Sequence, residues 1–329
     1  MNFMLNYGRR YLGRSICFIM YSGEVTYSLW TNYTQYIGDR RYTLWTECYG
    51  GQRLTTQILN FSDEQLKDLA EELIAKGHVI LYDQVMTMDQ YVEVCNRIGN
   101  CEYYNYFMNP PERPEISFVS GERDENGKVL GVFGDSELQW HANGVARHKF
   151  DQIIVSLYCV EECIDTVLSI CNQCDAFAEL SERDKERFRK IDIQLDDKKD
   201  AIYKMSDHDL PDHPAREREI KTGAEFYKED IDRRPLVGKH PIDGREYLYF
   251  MVPYIVGAFE NGERINHEAL YEELWEKLFN SRNMKHHVFR KGDLLLMDQL
   301  HTTHRRSPVK RKIRKLWRCA FDYSNIDFT

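Results

Sequence analysis

No apolar run in this 329-residue chain approaches the roughly 18–20 residues that a membrane-spanning helix needs, so no membrane partner is expected. A basic excess is missing as well. The chain has 44 Lys and Arg against 53 Asp and Glu, a net charge of −9, which argues against a general nucleic-acid binder with its basic face. There is no glycine-rich phosphate loop and no internal repeat. The cysteines, 9 in number, lack a repeating spacing, which points to free thiols in a reducing compartment rather than a disulfide framework. "CNQC" at Cys171–Cys174 is the only C-x-x-C. With no second pair at zinc-finger spacing, it reads as two cysteines on one helical face. No acid precedes Glu24, and Arg9, Arg10 and Arg14 give that stretch the look of a weak targeting segment. Its apolar part, "SICFIM", is too short for a secretory signal. An over-long start, with Met20 the true first residue, is the alternative. A cytoplasmic protein is the expectation.

What is present begins with helix punctuation. Residues 1–55 are rich in Tyr, Trp and Gly, lack a clear period, and read as an N-terminal extension packed on a domain filling 56–329. "SDEQLKDLAEELIAKG" opens on the capping box Ser62-x-x-Gln65, sets Leu66, Leu69 and Leu73 on one face, and stops at Gly77. "HVILYD" reads as a buried strand, and "TMDQYVEVCNRIG" repeats the helix pattern with Thr87-x-x-Gln90 and Gly99. Beyond about residue 130 the texture turns to β in "DQIIVSLYCV", "DTVLSICN", "REYLYFMVPYIVG", "DLLLMDQ" and "LWRCAFDYS". Two helical stretches interrupt it, "CDAFAELSERDKERFRKI" and "NHEALYEELWEKLF", the second capped by Asn266 with Leu270, Leu274 and Leu278 in one stripe. The charged, proline-containing segment at about 195–235 reads as a long loop or lid. Strand and helix do not alternate regularly. The expected fold is therefore α+β, a double-stranded β-helix (jelly-roll) core with flanking helices, rather than a βαβ fold.

The chemistry centres on "LQWHANG". His141 and Asn143 are two apart, so on a strand they point the same way, as ligands of one metal must. Iron(II) oxygen chemistry uses two histidines and one carboxylate on one face of the metal and leaves the other positions open. The further histidine has to come from a distant strand, and "GDLLLMDQLHTTHRRSP" offers His301 and His304. A keto-acid cosubstrate also needs a fixed guanidinium for its far carboxylate. In "IRKLWRCAFDY", strand alternation puts Arg314, Leu316, Arg318 and Ala320 on one face and Lys315, Trp317, Cys319, Phe321 and Tyr323 on the other. Two arginines above a small residue suit a pocket better than a core. Their Cα atoms are about 13 Å apart at strand rise, so one arginine is assigned to the cosubstrate and one to the substrate. Elsewhere the ordinary reading is kept. A lone histidine is more often a satisfied core or surface residue than a ligand, which covers His78, His148, His240, His267, His286 and His287. His208 and His213 in "DHDLPDHP" read as a solvated loop, and the basic run at 310–315 would ordinarily be an exposed face.

Five segments in order, "LQWHANG", "DTVLSICNQCDAFAELSERDKERF", "HPIDGREYLY", "GDLLLMDQLHTTHRRSP" and "RKLWR", resemble the taurine dioxygenase-like (TauD/TfdA) Fe(II)- and 2-oxoglutarate-dependent oxygenases. The likeness runs from about residue 62 to 324; residues 1–61 have no clear counterpart. It implies Fe(II), 2-oxoglutarate, molecular oxygen and a small-molecule substrate. It implies His141 as the proximal metal ligand and His304, six residues after Asp298 of the Asp298-Gln299 pair, as the distal one. It further implies that Thr166 hydrogen-bonds the 2-oxoglutarate carboxylate, that Arg314 forms its salt bridge, and that Arg318 contacts substrate or cosubstrate.

The departure is Asn143, where the family has Asp or Glu. No histidine in the chain has an acid two residues later. Glu137 lies about 13 Å from His141 along a strand, beyond the reach of one metal, and Asp135 is farther. Asp207, Asp209 or Asp212 would have to swing in from the lid. Three readings follow. The Asn143 amide oxygen is a weak ligand of an otherwise intact site; or chloride fills the place, as in halogenating relatives that carry Gly or Ala there; or the chain is an inactive metal- and keto-acid-binding homologue. Asparagine nearly matches aspartate in size, which counts against chloride. The joint presence of both histidines, Thr166, the paired arginines and Trp140 counts against inactivity. The expected activity is hydroxylation of an unactivated carbon, or halogenation with chloride in the third place. Arg318 facing the pocket suggests an anionic or amino-acid-like metabolite as substrate. The sequence leaves monomer and homo-oligomer open.

Overall fold

The computed structural model describes residues 56–103, 109–127, 130–133, 138–143, 153–161, 166–195, 233–250, 255–280, 282–309 and 314–328, and the backbone of three strands before residue 49. Nearly all of the expected lid, including Asp207, His208, Asp209, Asp212 and His213, lies outside the described residues, as do Asp135, Glu137 and His148.

The chain divides into two compact units, Met1–Leu54 and Thr55–Thr329. In the first, β1 (Arg14–Tyr21), β2 (Glu24–Ile37) and β3 (Arg40–Cys48) pair antiparallel in that order. Thr, Tyr and Trp favour the pleated backbone. They occur here at consecutive positions instead of alternating with polar ones, so no period announces the strands.

In the second unit the capping boxes form as the sequence predicts. Ser62 Oγ accepts from the Gln65 N–H, and the Gln65 side chain accepts from the Ser62 N–H at 2.9 Å, opening α1 (Asp63–Lys76). Gly77 closes α1 at φ 76°, a left-handed conformation that suits glycine. After β4 (His78–Leu81), Thr87 and Gln90 open α2 (Met88–Ile98) in the same way. Gly99 ends α2 for a different reason: its backbone is extended, and a Cβ there would sit 1.8 Å from the Asp322 carbonyl oxygen.

The remaining elements are β5 (Ser117–Ser120), β6 (Leu138–His141), β7 (Ile154–Glu161), β8 (Leu168–Asn172), α3 (Gln173–Ala178), α4 (Glu182–Phe188) and β9 (Ile191–Leu195). There follow β10 (Arg234–Pro235), β11 (Val237–Lys239), β12 (Glu246–Leu248), β13 (Ile255–Glu260), β14 (Glu263–Ile265) and α5 (His267–Leu278). The chain ends with β15 (Met284–His287), β16 (Leu294–Asp298), β17 (Thr302–Arg306) and β18 (Lys315–Phe321). Two antiparallel sheets form the core, one in the order β4-β16-β7-β18-β5 and one in the order β15-β8-β17-β6. Val155, Leu157, Leu168, Ile170, Leu295 and Leu316 pack between them. On the other face of the larger sheet, Trp317, Cys319 and Phe321 pack with Leu66 and Leu73 of α1 and Tyr91 of α2. The alternation read from "IRKLWRCAFDY" is thus the two faces of β18. A third cluster joins α3, α4 and α5 to β9 and β13, with Leu270, Leu274 and Leu278 buried along α5. This is the expected jelly roll with flanking helices.

Three local expectations need correction. "CDAFAELSERDKERFRKI" is two helices, because Ser181 caps a new one by accepting from the Asp184 N–H. "CNQC" does not lie on one helical face: Cys171 belongs to β8, and Asn172 is the N-cap that starts α3 before Cys174. "REYLYFMVPYIVG" supplies two strands, β12 and β13, in different sheets.

Candidate active site

A pocket lies between the two core sheets, and its lining includes His141, Asn143, Thr166, His304, Arg314 and Arg318. All six residues singled out from the sequence meet here. Leu157, Leu168, Phe289 and Leu316 give the pocket apolar walls.

The two histidines arrive on adjacent strands. His141 ends β6, His304 lies mid-way along β17, and the register pairs them directly. Their ring centroids are 4.3 Å apart at 51°. Burial above all, with the neighbouring His141 and Arg318 adding to it, holds His304 well below the usual histidine range, so its ring is neutral and its lone pair is available. His304 Nδ1 is buried with no hydrogen-bond partner. Two converging imidazoles, that of His304 held neutral, fit a divalent metal of intermediate softness. His301, the rival to His304, is not part of the pocket lining.

Asn143 follows β6 in a bend, yet it keeps the orientation expected of a strand continuation. Its backbone N–H donates to Gln299 Oε1 at 2.7 Å, and its Nδ2 lies 3.3 Å from the same oxygen and 3.4 Å from His304 Nε2. The backbone bond fixes Gln299 Oε1 as an acceptor, so the nitrogen end of the Asn143 amide is turned toward Gln299 and His304. No carboxylate lines the pocket among the described residues.

The pocket is also cationic. Arg318 on β18 and Arg314 just before it are both buried, at 3 % exposure each. Arg306, two residues beyond His304 on β17, also lines the pocket. Arg306 Nη1 and Arg314 Nη2 donate to the Phe133 carbonyl at 2.5 and 2.6 Å. Phe133 is left-handed at φ 56°, a conformation that non-glycine residues adopt at some cost, and its carbonyl oxygen bridges the two guanidinium groups. The Thr166 hydroxyl donates to the Ser307 carbonyl at 2.8 Å, which ties the start of β8 to the end of β17. Sequence reasoning passed over Arg306 and used Gln299 only to locate His304. Thr302, His304 and Arg306 alternate along β17, and that spacing alone would have placed Arg306 beside His304.

A jelly roll with paired histidines and buried arginines between its sheets is the architecture of a metal-dependent keto-acid oxygenase. Residues 46–320 match the family described as "Taurine catabolism dioxygenase TauD, TfdA family", and the chain belongs to that family. It is a metal- and 2-oxoglutarate-dependent dioxygenase, acting on a small molecule with molecular oxygen. Solved structures share the fold at low identity. A taurine dioxygenase from Burkholderia xenovorans is similar at 16 % identity and TM-score 0.59, with 81 % of this chain and 83 % of that one covered. AAD-2 in complex with Mn(II) and N-oxalylglycine is similar at 15 % identity and TM-score 0.59, with 91 % and 99 % covered. Among the described residues, no helix is long and apolar enough to cross a membrane.

Proposed function

We propose that the chain is an iron(II)-dependent oxygenase that hydroxylates an unactivated carbon of a small anionic or amino-acid-like metabolite, with the metal held by His141 and His304. The observation that carries this reading is one pocket lined by two adjacent imidazoles and three buried guanidinium groups. Guanidinium groups recognise carboxylates through charge-assisted, bidentate pairs. Arg314 would grip the far carboxylate of 2-oxoglutarate, with Thr166 turning its hydroxyl from Ser307 to the bound carboxylate. Arg318 is assigned to an acidic group on the substrate, and Arg306 keeps Arg314 in place through their shared Phe133 carbonyl.

When bound, the metal and keto acid supply the oxygen chemistry: 2-oxoglutarate and O₂ are converted to succinate and CO₂ while one oxygen atom enters the substrate C–H bond. The protein's part is positioning and exclusion of water. Leu157, Leu168, Phe289 and Leu316 keep the reacting carbon in an apolar enclosure.

The orientation of Asn143 favours a second reading of the third ligand position. An amide nitrogen has no lone pair to give a metal, but its N–H can donate to an anion bound there. Chloride or hydroxide would therefore be held by the Asn143 amide, which supports the halogenase alternative despite the size of the side chain. The test is succinate formation in air from Fe(II) and 2-oxoglutarate with candidate amino-acid and carboxylate substrates, run with and without chloride, with product masses recorded. Succinate and a product heavier by one oxygen support hydroxylation, and a chlorinated product moves the assignment to halogenation. No succinate under any condition sinks both.

A further inference from the structure

Outside the pocket lining, a second group of ligating side chains meets where two turns touch. His240 follows β11, Asp243 lies in the β11–β12 turn, and His301 lies in the β16–β17 turn. His240 Nε2 is 3.1 Å from Oδ2 of Asp298, a fully buried carboxylate that also accepts the Tyr323 hydroxyl at 2.8 Å and the backbone N–H groups of Leu300 and His301. Asp298 acts only as an acceptor in this network, so His240 carries a proton on Nε2. The backbone N–H groups of Ile242 and Asp243 point at Nδ1 from 3.4 and 3.5 Å, which marks that nitrogen as an acceptor. Nδ1 also lies 3.3 Å from Asp243 Oδ1.

His301 completes the group. Its Nε2 is 3.5 Å from the same Asp243 oxygen, and its ring centroid is 4.0 Å from that of His240. Its side chain is wholly buried, and neither ring nitrogen has a hydrogen-bond partner. Folded proteins rarely leave such groups unsatisfied. Ligand atoms of all three residues lie within 4.8 Å of one another.

We propose that His240, Asp243 and His301 form a binding site for a divalent cation of the zinc class, separate from the pocket between the sheets. Two imidazole nitrogens and one carboxylate oxygen are a three-ligand zinc donor set, with the fourth place open to water beside the exposed Asp243. Asp298 behind His240 is the carboxylate that orients a metal-bound histidine. Arg245 Nε holds Asp243 Oδ2 at 2.6 Å, and its backbone N–H takes one lone pair of Oδ1 at 3.0 Å, leaving the other for the ion. The ion ties the β11–β12 turn to the turn that leads into β17, the strand carrying His304.

The test is equilibrium dialysis of chelator-treated protein against Zn²⁺, with bound metal counted by mass spectrometry. Wild type should bind one more equivalent than Asp243→Ala, and His301→Gln should lose the same equivalent. His304→Ala should keep it, so failure of the pocket to bind metal is read separately from failure of this site. Zinc should also raise the thermal midpoint of wild type and His304→Ala but not of Asp243→Ala. Equal zinc binding and equal zinc-induced shifts in wild type and Asp243→Ala overturn the proposal.

Discussion

Replacing Asn143 with aspartate changes the charge of the pocket with almost no change in volume, so its effects are electrostatic. In the wild type, Asn143 Nδ2 reaches Gln299 Oε1 at 3.3 Å and His304 Nε2 at 3.4 Å, both long contacts. Together they contribute about 1 kcal/mol. A carboxylate oxygen in that position faces the Gln299 oxygen, which the residue's own backbone N–H holds at 2.7 Å, and the His304 lone pair. The guanidinium groups of the pocket offset part of the repulsion, so metal-free Asn143→Asp should be less stable by about 1 kcal/mol. A divalent cation reverses the sign. A charged ligand in place of a neutral amide or a solvent anion is worth about 1.5–3 kcal/mol, or about 10–100-fold in Kd. Anaerobic Fe(II) titration gives the second quantity, and denaturant unfolding of the metal-free proteins gives the first. Iron binding equal to or weaker than wild type, with metal-free stability unchanged, would refute the placement of residue 143 at the metal.

Three further outcomes follow from the same geometry. Arg314→Gln should raise KM for 2-oxoglutarate about 30–100-fold through loss of a charge-assisted pair, with a smaller effect from Arg318→Gln; the reverse order would exchange the two roles. Burial holds His78 and His286 down at about 4, so the folded chain refuses protons that the unfolded chain takes up below pH 6.5. Stability is full above that pH and falls as pH drops toward 4, by at most about 3 kcal/mol for each histidine; urea unfolding at pH 7, 5.5 and 4.5 that showed no decline would contradict this. Gly99→Ala should cost about 3 kcal/mol in urea unfolding, because the new Cβ meets the Asp322 carbonyl oxygen at 1.8 Å and backbone must move; a loss under about 1 kcal/mol would show that the α2 exit is free to shift.

Much of this was legible in the sequence where the physics is local. The Ser62–Gln65 and Thr87–Gln90 boxes specify their own helix starts, and strand alternation sorts Arg314 and Arg318 from Trp317 and Phe321 without knowledge of the partner strands. The choice of His304 over His301 was not local. It rested on family spacing, because both sit in one segment and only the turn after Asp298 decides which faces the pocket. The break at Ser181 was a cap hidden inside a helical composition. The His240–Asp243–His301 group joins turns some 60 residues apart, and no spacing rule links them.

The proposed metal site at His141 and His304 is probed by anaerobic addition of Fe(II) and 2-oxoglutarate while the visible spectrum is recorded. The charge-transfer band of the chelate is expected in wild type, saturating at one equivalent of iron, and is expected to be lost in His304→Ala. Absence of the band at high iron in wild type, or its persistence in a folded His304→Ala protein, would contradict it.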